Sequence, residues 1–211
     1  TDVITTGKLR SWEGKFIRVL RQVTDAKQTQ VTSVAVTTIA PGLPSIEDKP
    51  FGPAFCATPQ QGSQALKLIK QRLLKHPHLS LAVDLEGPLG GRLAHIDLLQ
   101  LAVDPGNTEE QPLIFVFDMD RYGAEFLSLK EPLRAILENP EVTKVYHCMT
   151  GDANALYVEY DIQVKGSFDT GIADCLLRGS GFNRMRGLGT VIHEFLDVPL
   201  TLKDSFKHIP R

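Results

Sequence analysis

Apolar and polar positions along the 211-residue chain change period several times, and each change marks an element. Leu79 to Val83 reads as a strand buried on both faces and ending at Asp84. Ile96 to Val103 and Leu113 to Phe117 are two further strand-like runs, separated by the turn-forming Asp104-Pro-Gly-Asn107. Three successive strands with short connections predict a meander, so part of the sheet is antiparallel. Ahead of it, Leu66, Ile69, Leu73 and Leu74 form an apolar helical stripe. Thr58 is placed to cap that helix, Pro59 to occupy its first position, and His76-Pro77 to end it. Ser128-x-x-Glu131 has the capping-box pattern of a helix running to about Glu138, where Asn139-Pro140 stops it. A strand over Thr143 to His147, helices from Asp152 to about Tyr160 and from Gly171 to Leu177, and a last helix from Leu188 to Leu196 complete the order. The expectation is an α/β fold, a mixed sheet with flanking helices.

Residues 1–50 follow a different pattern. Phe16 to Val23 and Gln30 to Ile39 are rich in β-branched residues, with Thr24 to Lys27 as the turn between them. They predict a β-rich extension, a hairpin or part of a small barrel. Pro41-Gly-Leu-Pro-Ser and Lys49-Pro-Phe-Gly-Pro form a stiff linker in which helix is disfavoured. The division is therefore 1–50 for the extension and linker and 55–211 for the main domain. The chain opens on Thr1, which reads as a processed or trimmed end.

Charge adds one contrast. Lys and Arg total 23 against 25 Asp and Glu, so the whole chain carries no basic signature of a nucleic-acid binder. Residues 1–30 and 178–211 are each net +3, whereas the stretch between is −8. That arrangement would draw a polyanion to the flanks of an acidic, cation-binding centre, and it is equally what chance produces in short windows. Cys56, Cys148 and Cys175 are odd in number and fit no zinc spacing, so a reducing, intracellular compartment is expected. No apolar stretch is long enough for a membrane helix, and no membrane role is expected.

Candidate chemistry sits at strand ends. Asp84 and Glu86, one residue apart, project to the same side of their strand and bring two hard oxygen ligands together. Such a pair holds a cation or is a solvated strand end. No Gly-x-Gly-x-x-Gly follows the strand, and Gly87-Pro-Leu-Gly-Gly91 lacks that spacing, which disfavours a doubly wound nucleotide-binding domain.

The ordered set of motifs over about residues 79–200 resembles the DEDD family of 3′-to-5′ exonucleases, in its ribonuclease D-like branch with a ribonuclease H-like fold. Asp84-x-Glu86-Gly87 looks like the first motif and Ile96-x-Leu98-Leu-Gln-Leu-Ala102 like the strand that follows. Val145-Tyr-His147 with Asp152 and Leu156 looks like the second motif; Phe168-Asp-Thr170 with Ala173 and the leucine-rich 187–198 segment match what comes after. The resemblance implies phosphodiester hydrolysis with two divalent cations, Mg²⁺ or Mn²⁺, on RNA or single-stranded DNA. It gives Asp84 the bridging ligand position, Glu86 one cation and Asp152 the other, with the terminal nucleotide near Leu85 and Gly87 and His147 as a further substrate contact. The N-terminal extension is similar to an Sm-like module and implies a route to a protein partner.

The family's third motif, a Tyr or His followed by a fourth carboxylate on a later helix, is expected beyond Arg211. Tyr157-x-x-x-Asp161 has its lettering but lies in the second-motif helix; His193-x-x-x-Asp197 has the wrong spacing and reads as an exposed helical turn. The alternative is therefore a catalytically inactive adaptor of the same fold that binds RNA or a protein partner. Other residues keep plainer readings. His147 reads as a ring satisfied by backbone at a strand end, and Asp169 as a helix cap in preference to a metal ligand. Asp97 and Asp118 read as structural or solvated. Arg178, Arg184 and Arg186 read equally as phosphate grips or as a charged loop.

Overall fold

The computed structural model describes residues 54–103 and 112–196. The extension expected over 1–50, the Asp104–Asn107 turn and the segment after Leu196 lie outside the described residues.

A six-stranded mixed sheet forms the centre, in the order β1-β4-β3-β2-β5-β6. Its strands are β1 (Ala54–Cys56), β2 (Ser80–Glu86), β3 (Leu98–Val103), β4 (Leu113–Asp118), β5 (Thr143–Tyr146) and β6 (Ser167–Asp169). The expected meander is present: β2 pairs antiparallel with β3, and β3 antiparallel with β4. The other pairings, β1 with β4, β2 with β5 and β5 with β6, are parallel. Three-residue β1 and β6 were not foreseen, because so short a segment carries no readable alternation.

The helices are α1 (Pro59–Lys75), α2 (Leu127–Leu137), α3 (Thr150–Tyr160), α4 (Thr170–Leu177) and α5 (Leu188–Leu196), with a single helical turn at Met119–Tyr122. Thr58 caps α1 as expected, with a capping box completed by Gln61. The box expected at Ser128 is absent. Ser128 lies inside α2 and donates its hydroxyl back to Glu125 O, because a preceding 3-10 turn, Gly123–Phe126, already feeds the chain into helical conformation. α3 begins at Thr150, two residues ahead of the expected start at Asp152, so Asp152 sits within the first helical turn.

Alternation along the strands sorts the core into two layers. Leu81, Val83 and Leu85 of β2 join Leu99, Leu101 and Phe117 against α1, α2 and α3. On the opposite face Ala82, Ala102, Ile114 and Val145 pack under Leu188, Val191 and Ile192 of α5. Small residues on that second face let α5 lie close to the sheet, and helices covering both faces account for the continuous apolar character of β2 and β3.

Candidate active site

Period-two alternation places Asp84 and Glu86 on the Ala82 face of β2, beyond the residues that pack under α5. Asp84 is half-buried and Glu86 exposed. Asp152 reaches the same place from α3. β5 pairs with β2 only as far as Ala82↔Val145. Past that point the chain of β5 turns away into α3, and Asp152 takes over the strand's role: its Oδ1 accepts from the Leu85 amide at 3.1 Å. A carboxylate is thereby fixed to the backbone of the residue between Asp84 and Glu86.

The electrostatic consequence is strong. Asp152 is 7% exposed. Burial, and next the Asp84 carboxylate, push it up to about 6 from an ordinary 3.8, although the Leu85 amide acts in the opposite direction. Tyr146, the last residue of β5, is buried with its hydroxyl lacking a hydrogen-bond partner. Burial and the Asp152 charge both raise that phenol. A buried carboxylate raised by a neighbouring one is an arrangement that a cation would relieve. The donors are all oxygen, which suits Mg²⁺ or Mn²⁺. Among the described residues, however, no three His, Cys, Asp or Glu side chains are grouped so as to hold a metal ion. The fold thus places Asp84 within electrostatic reach of Asp152, while Glu86 stands exposed on the same strand face as Asp84.

The turn that delivers Asp152 is itself clamped. Cys148 takes a left-handed conformation, φ 61°, between β5 and α3. Asp169 holds that turn, accepting from Cys148 N at 3.0 Å and Met149 N at 2.8 Å while also capping α4 through Gly171 N and Ile172 N. The capping role read from the sequence is present, and the bridge to the 148–149 turn explains why a buried carboxylate belongs in the Phe-Asp-Thr segment. The two ring nitrogens of His147 lie 2.8 Å from Thr170 Oγ1 and 2.9 Å from Arg186 O. Its imidazole ties the end of β5 to α4 and to the loop before α5.

Gly87 has a backbone reason for being glycine. Its φ is 139°, and a Cβ there would stand 2.5 Å from His95 O and 2.9 Å from Asp97 N. Leu85 directs its side chain into the core, leaving its amide to serve Asp152. The 87–97 loop is latched to α3: Asn154 donates to Leu89 O and Gly91 O, and Glu159 accepts from Ile96 N and faces His95 Nδ1 at 3.0 Å. Asp118 caps the Met119–Tyr122 turn and Asp97 is exposed, both in line with structural or solvated roles.

Two of the three loop arginines are absorbed internally. Asp174, fully buried on α4, pairs with Arg178 at 2.8 Å and with Arg186, which also pairs with Glu194 of α5. Arg184 is exposed, and its carbonyl accepts from Arg178 Nη2 at 3.0 Å. Sequence reasoning missed the Asp174 network, the Tyr146 hydroxyl and the Leu85 amide. Each depends on tertiary contact; for Asp174, the only local sign is an Arg four residues on.

A mixed sheet of this order, covered by helices on both faces and with acidic residues at the end of β2 and in the first turn of α3, is an α/β architecture of the ribonuclease H-like kind. The chain belongs to the 3′-5′ exonuclease domain family, whose model matches residues 58–208. Among solved structures it is similar to Trypanosoma brucei RNase D in complex with GMP, at 18% identity over 72% of this chain and 44% of that one, with TM-score 0.59. The same enzyme in complex with RNA U12 is similar at 15% identity over 74% of this chain and 54% of that one, with TM-score 0.54. The EXD2 exonuclease domain soaked in Mn and Mg is similar at 19% identity over 73% of this chain and 74% of that one, with TM-score 0.44. The chain therefore spans about half the length of the RNase D chains it matches. No curated protein matches it.

Proposed function

We propose that the domain is a metal-dependent 3′-to-5′ exonuclease acting on RNA or single-stranded DNA, with Asp84, Glu86 and Asp152 as its acidic ligands. The observation that carries this reading is the Asp84–Asp152 pair, in which Asp152 is pushed up to about 6 by burial and by Asp84. A fold that tolerates such repulsion gains from a cation between the two. Two divalent cations, when bound, supply the positive charge that activates a water and stabilises the leaving oxygen. Asp152, fixed to the Leu85 amide, keeps one donor oxygen in register with β2. Glu86, exposed at the strand end, would serve the other cation. Gly87 lets the chain leave β2 tightly, and with Leu85 it borders the space for a terminal nucleotide. His147 acts by holding the 146–149 turn in place. The resemblance also calls for a fourth carboxylate and a general base. RNA is the first substrate to test, since the T. brucei RNase D chain that shares the fold was crystallised with RNA U12.

A second reading, a non-cleaving adaptor that binds RNA or a protein partner, draws on the lack of a three-donor cluster among the described residues. A 3′-labelled oligonucleotide separates the two. Under the enzyme reading the full-length protein shortens it with Mn²⁺, and Asp84→Asn with Glu86→Gln abolishes shortening while the protein stays folded. Binding without shortening by the wild type supports the adaptor.

A further inference from the structure

We infer that the loop between α4 and α5 is a stacking platform for single-stranded nucleic acid, with Phe182 taking a base and Arg184 a phosphate. This inference rests on nucleic acid being the substrate class of the domain. Phe182 is 58% exposed, a large aromatic ring presented to solvent by a short turn. The turn carrying it, Phe182–Arg184, is a 3-10 helix pinned from both sides. Arg184 N donates to Gly181 O at 3.0 Å, and Arg178 reaches across from α4 to Arg184 O.

The charge arrangement selects one cation. Arg178 and Arg186 are spent on the buried Asp174, and Arg186 also on Glu194. No ion pair joins Arg184 to another described residue, and it is exposed two positions from Phe182. An exposed ring and, two residues on in the same turn, a guanidinium that pairs with no described carboxylate are the kinds of group that hold a single strand without reading its sequence.

The loop is also joined to the carboxylate centre. Met185 Sδ lies 3.5 Å from Cys148 Sγ, in the turn that leads to Asp152. Arg186 O meets the His147 ring on the same turn. The loop that carries Phe182 and Arg184 is thus tied to the turn that delivers Asp152, on the path from the carboxylate centre to α5.

The test is fluorescence anisotropy of a short labelled oligoribonucleotide with the full-length protein in EDTA, so that no cleavage intervenes. Phe182→Ala is expected to weaken binding about 10-fold or more, the scale of one lost aromatic stack, and Phe182→Trp to retain it. Arg184→Ala is expected to lower the slope of log affinity against log salt by about 0.7, and Arg184→Lys to keep the wild-type slope. Wild-type affinity and salt slope in Phe182→Ala and Arg184→Ala would overturn the platform. Should Phe182→Ala fail to fold, added emission from Phe182→Trp that is quenched by oligonucleotide supports the platform, and unquenched emission overturns it. The two readings fail separately. A wild type that never shortens RNA but loses binding with Phe182→Ala keeps the platform and loses hydrolysis; a protein that shortens RNA and binds it equally with or without Phe182 does the reverse.

Discussion

Asp152 and Asp174 are both buried aspartates near the start or middle of a short helix, yet their surroundings are opposite. Asp174 faces two guanidiniums. Burial works to raise its carboxyl, and Arg186 and Arg178 more than reverse that, holding it below the usual carboxylate range. Asp152 faces another carboxylate and is pushed up to about 6. One charge is fully compensated from within the chain; the other is left for something outside it. Burial alone thus says little about function, whereas burial with a like charge beside it points to a missing counter-ion. Asp169 is a third case, satisfied by four backbone N–H donors instead of by a charge.

The largest expected effect falls on the compensated side. Asp174→Ala strands Arg178 and Arg186 around a vacated buried position and should cost about 3–5 kcal/mol in denaturant unfolding. A loss below 1 kcal/mol would mean that the network is surface decoration and the contrast with Asp152 false. On the other side the sign reverses. A folded-state value near 6 against an ordinary 3.8 means that the metal-free fold is favoured while Asp152 is protonated. Stability is lost as pH rises from about 4 through 6, by up to about 3 kcal/mol. Asp152→Asn should remove that slope and leave the metal-free protein more stable than wild type at neutral pH, while abolishing shortening of RNA. Calorimetric melts at several pH values measure both.

Asp169→Ala should cost about 2 kcal/mol, the scale of a lost helix cap plus stranded amides at the 148–149 turn. It should also weaken Mn²⁺ binding, because that turn delivers Asp152. The smallest effect concerns the 87–97 loop. Burial opposes the charge on His95, but Glu159, Asp120 and Asp97 outweigh it and raise the imidazole. The latch is therefore strongest when His95 is charged and weakens as pH rises through the raised value. Hydrogen exchange of the loop should speed up over that range in wild type and be independent of pH in His95→Gln beyond the intrinsic rate.

Much of this architecture was legible because it follows from local periodicity. The buried run ending at Asp84, the three-strand meander, the cap at Thr58 and the α5 bounds at Leu188 and Leu196 all rest on spacing within a few residues. Asp169 as a cap was readable for the same reason. What escaped was long-range or strained. Leu85 and Asp152 meet across 67 residues, and the Arg186–Asp174 pair across 12. The Ser128 pattern misled because a capping box needs a non-helical N-cap, and Ser128 already lies within α2. Asp84 and Glu86 were visible from strand-end placement, and Asp152 only through its resemblance to a second motif. Which two of them approach each other was set by where β5 stops pairing with β2, a property of the sheet and not of either motif.

The most direct test of the central claim is Mn²⁺ binding to the full-length protein without nucleic acid, followed by loss of the free-ion electron paramagnetic resonance signal. The account predicts saturable binding by the wild type that releases protons near pH 6 and is lost in the Asp84→Asn, Asp152→Asn double variant. Equal Mn²⁺ uptake by wild type and double variant would contradict it.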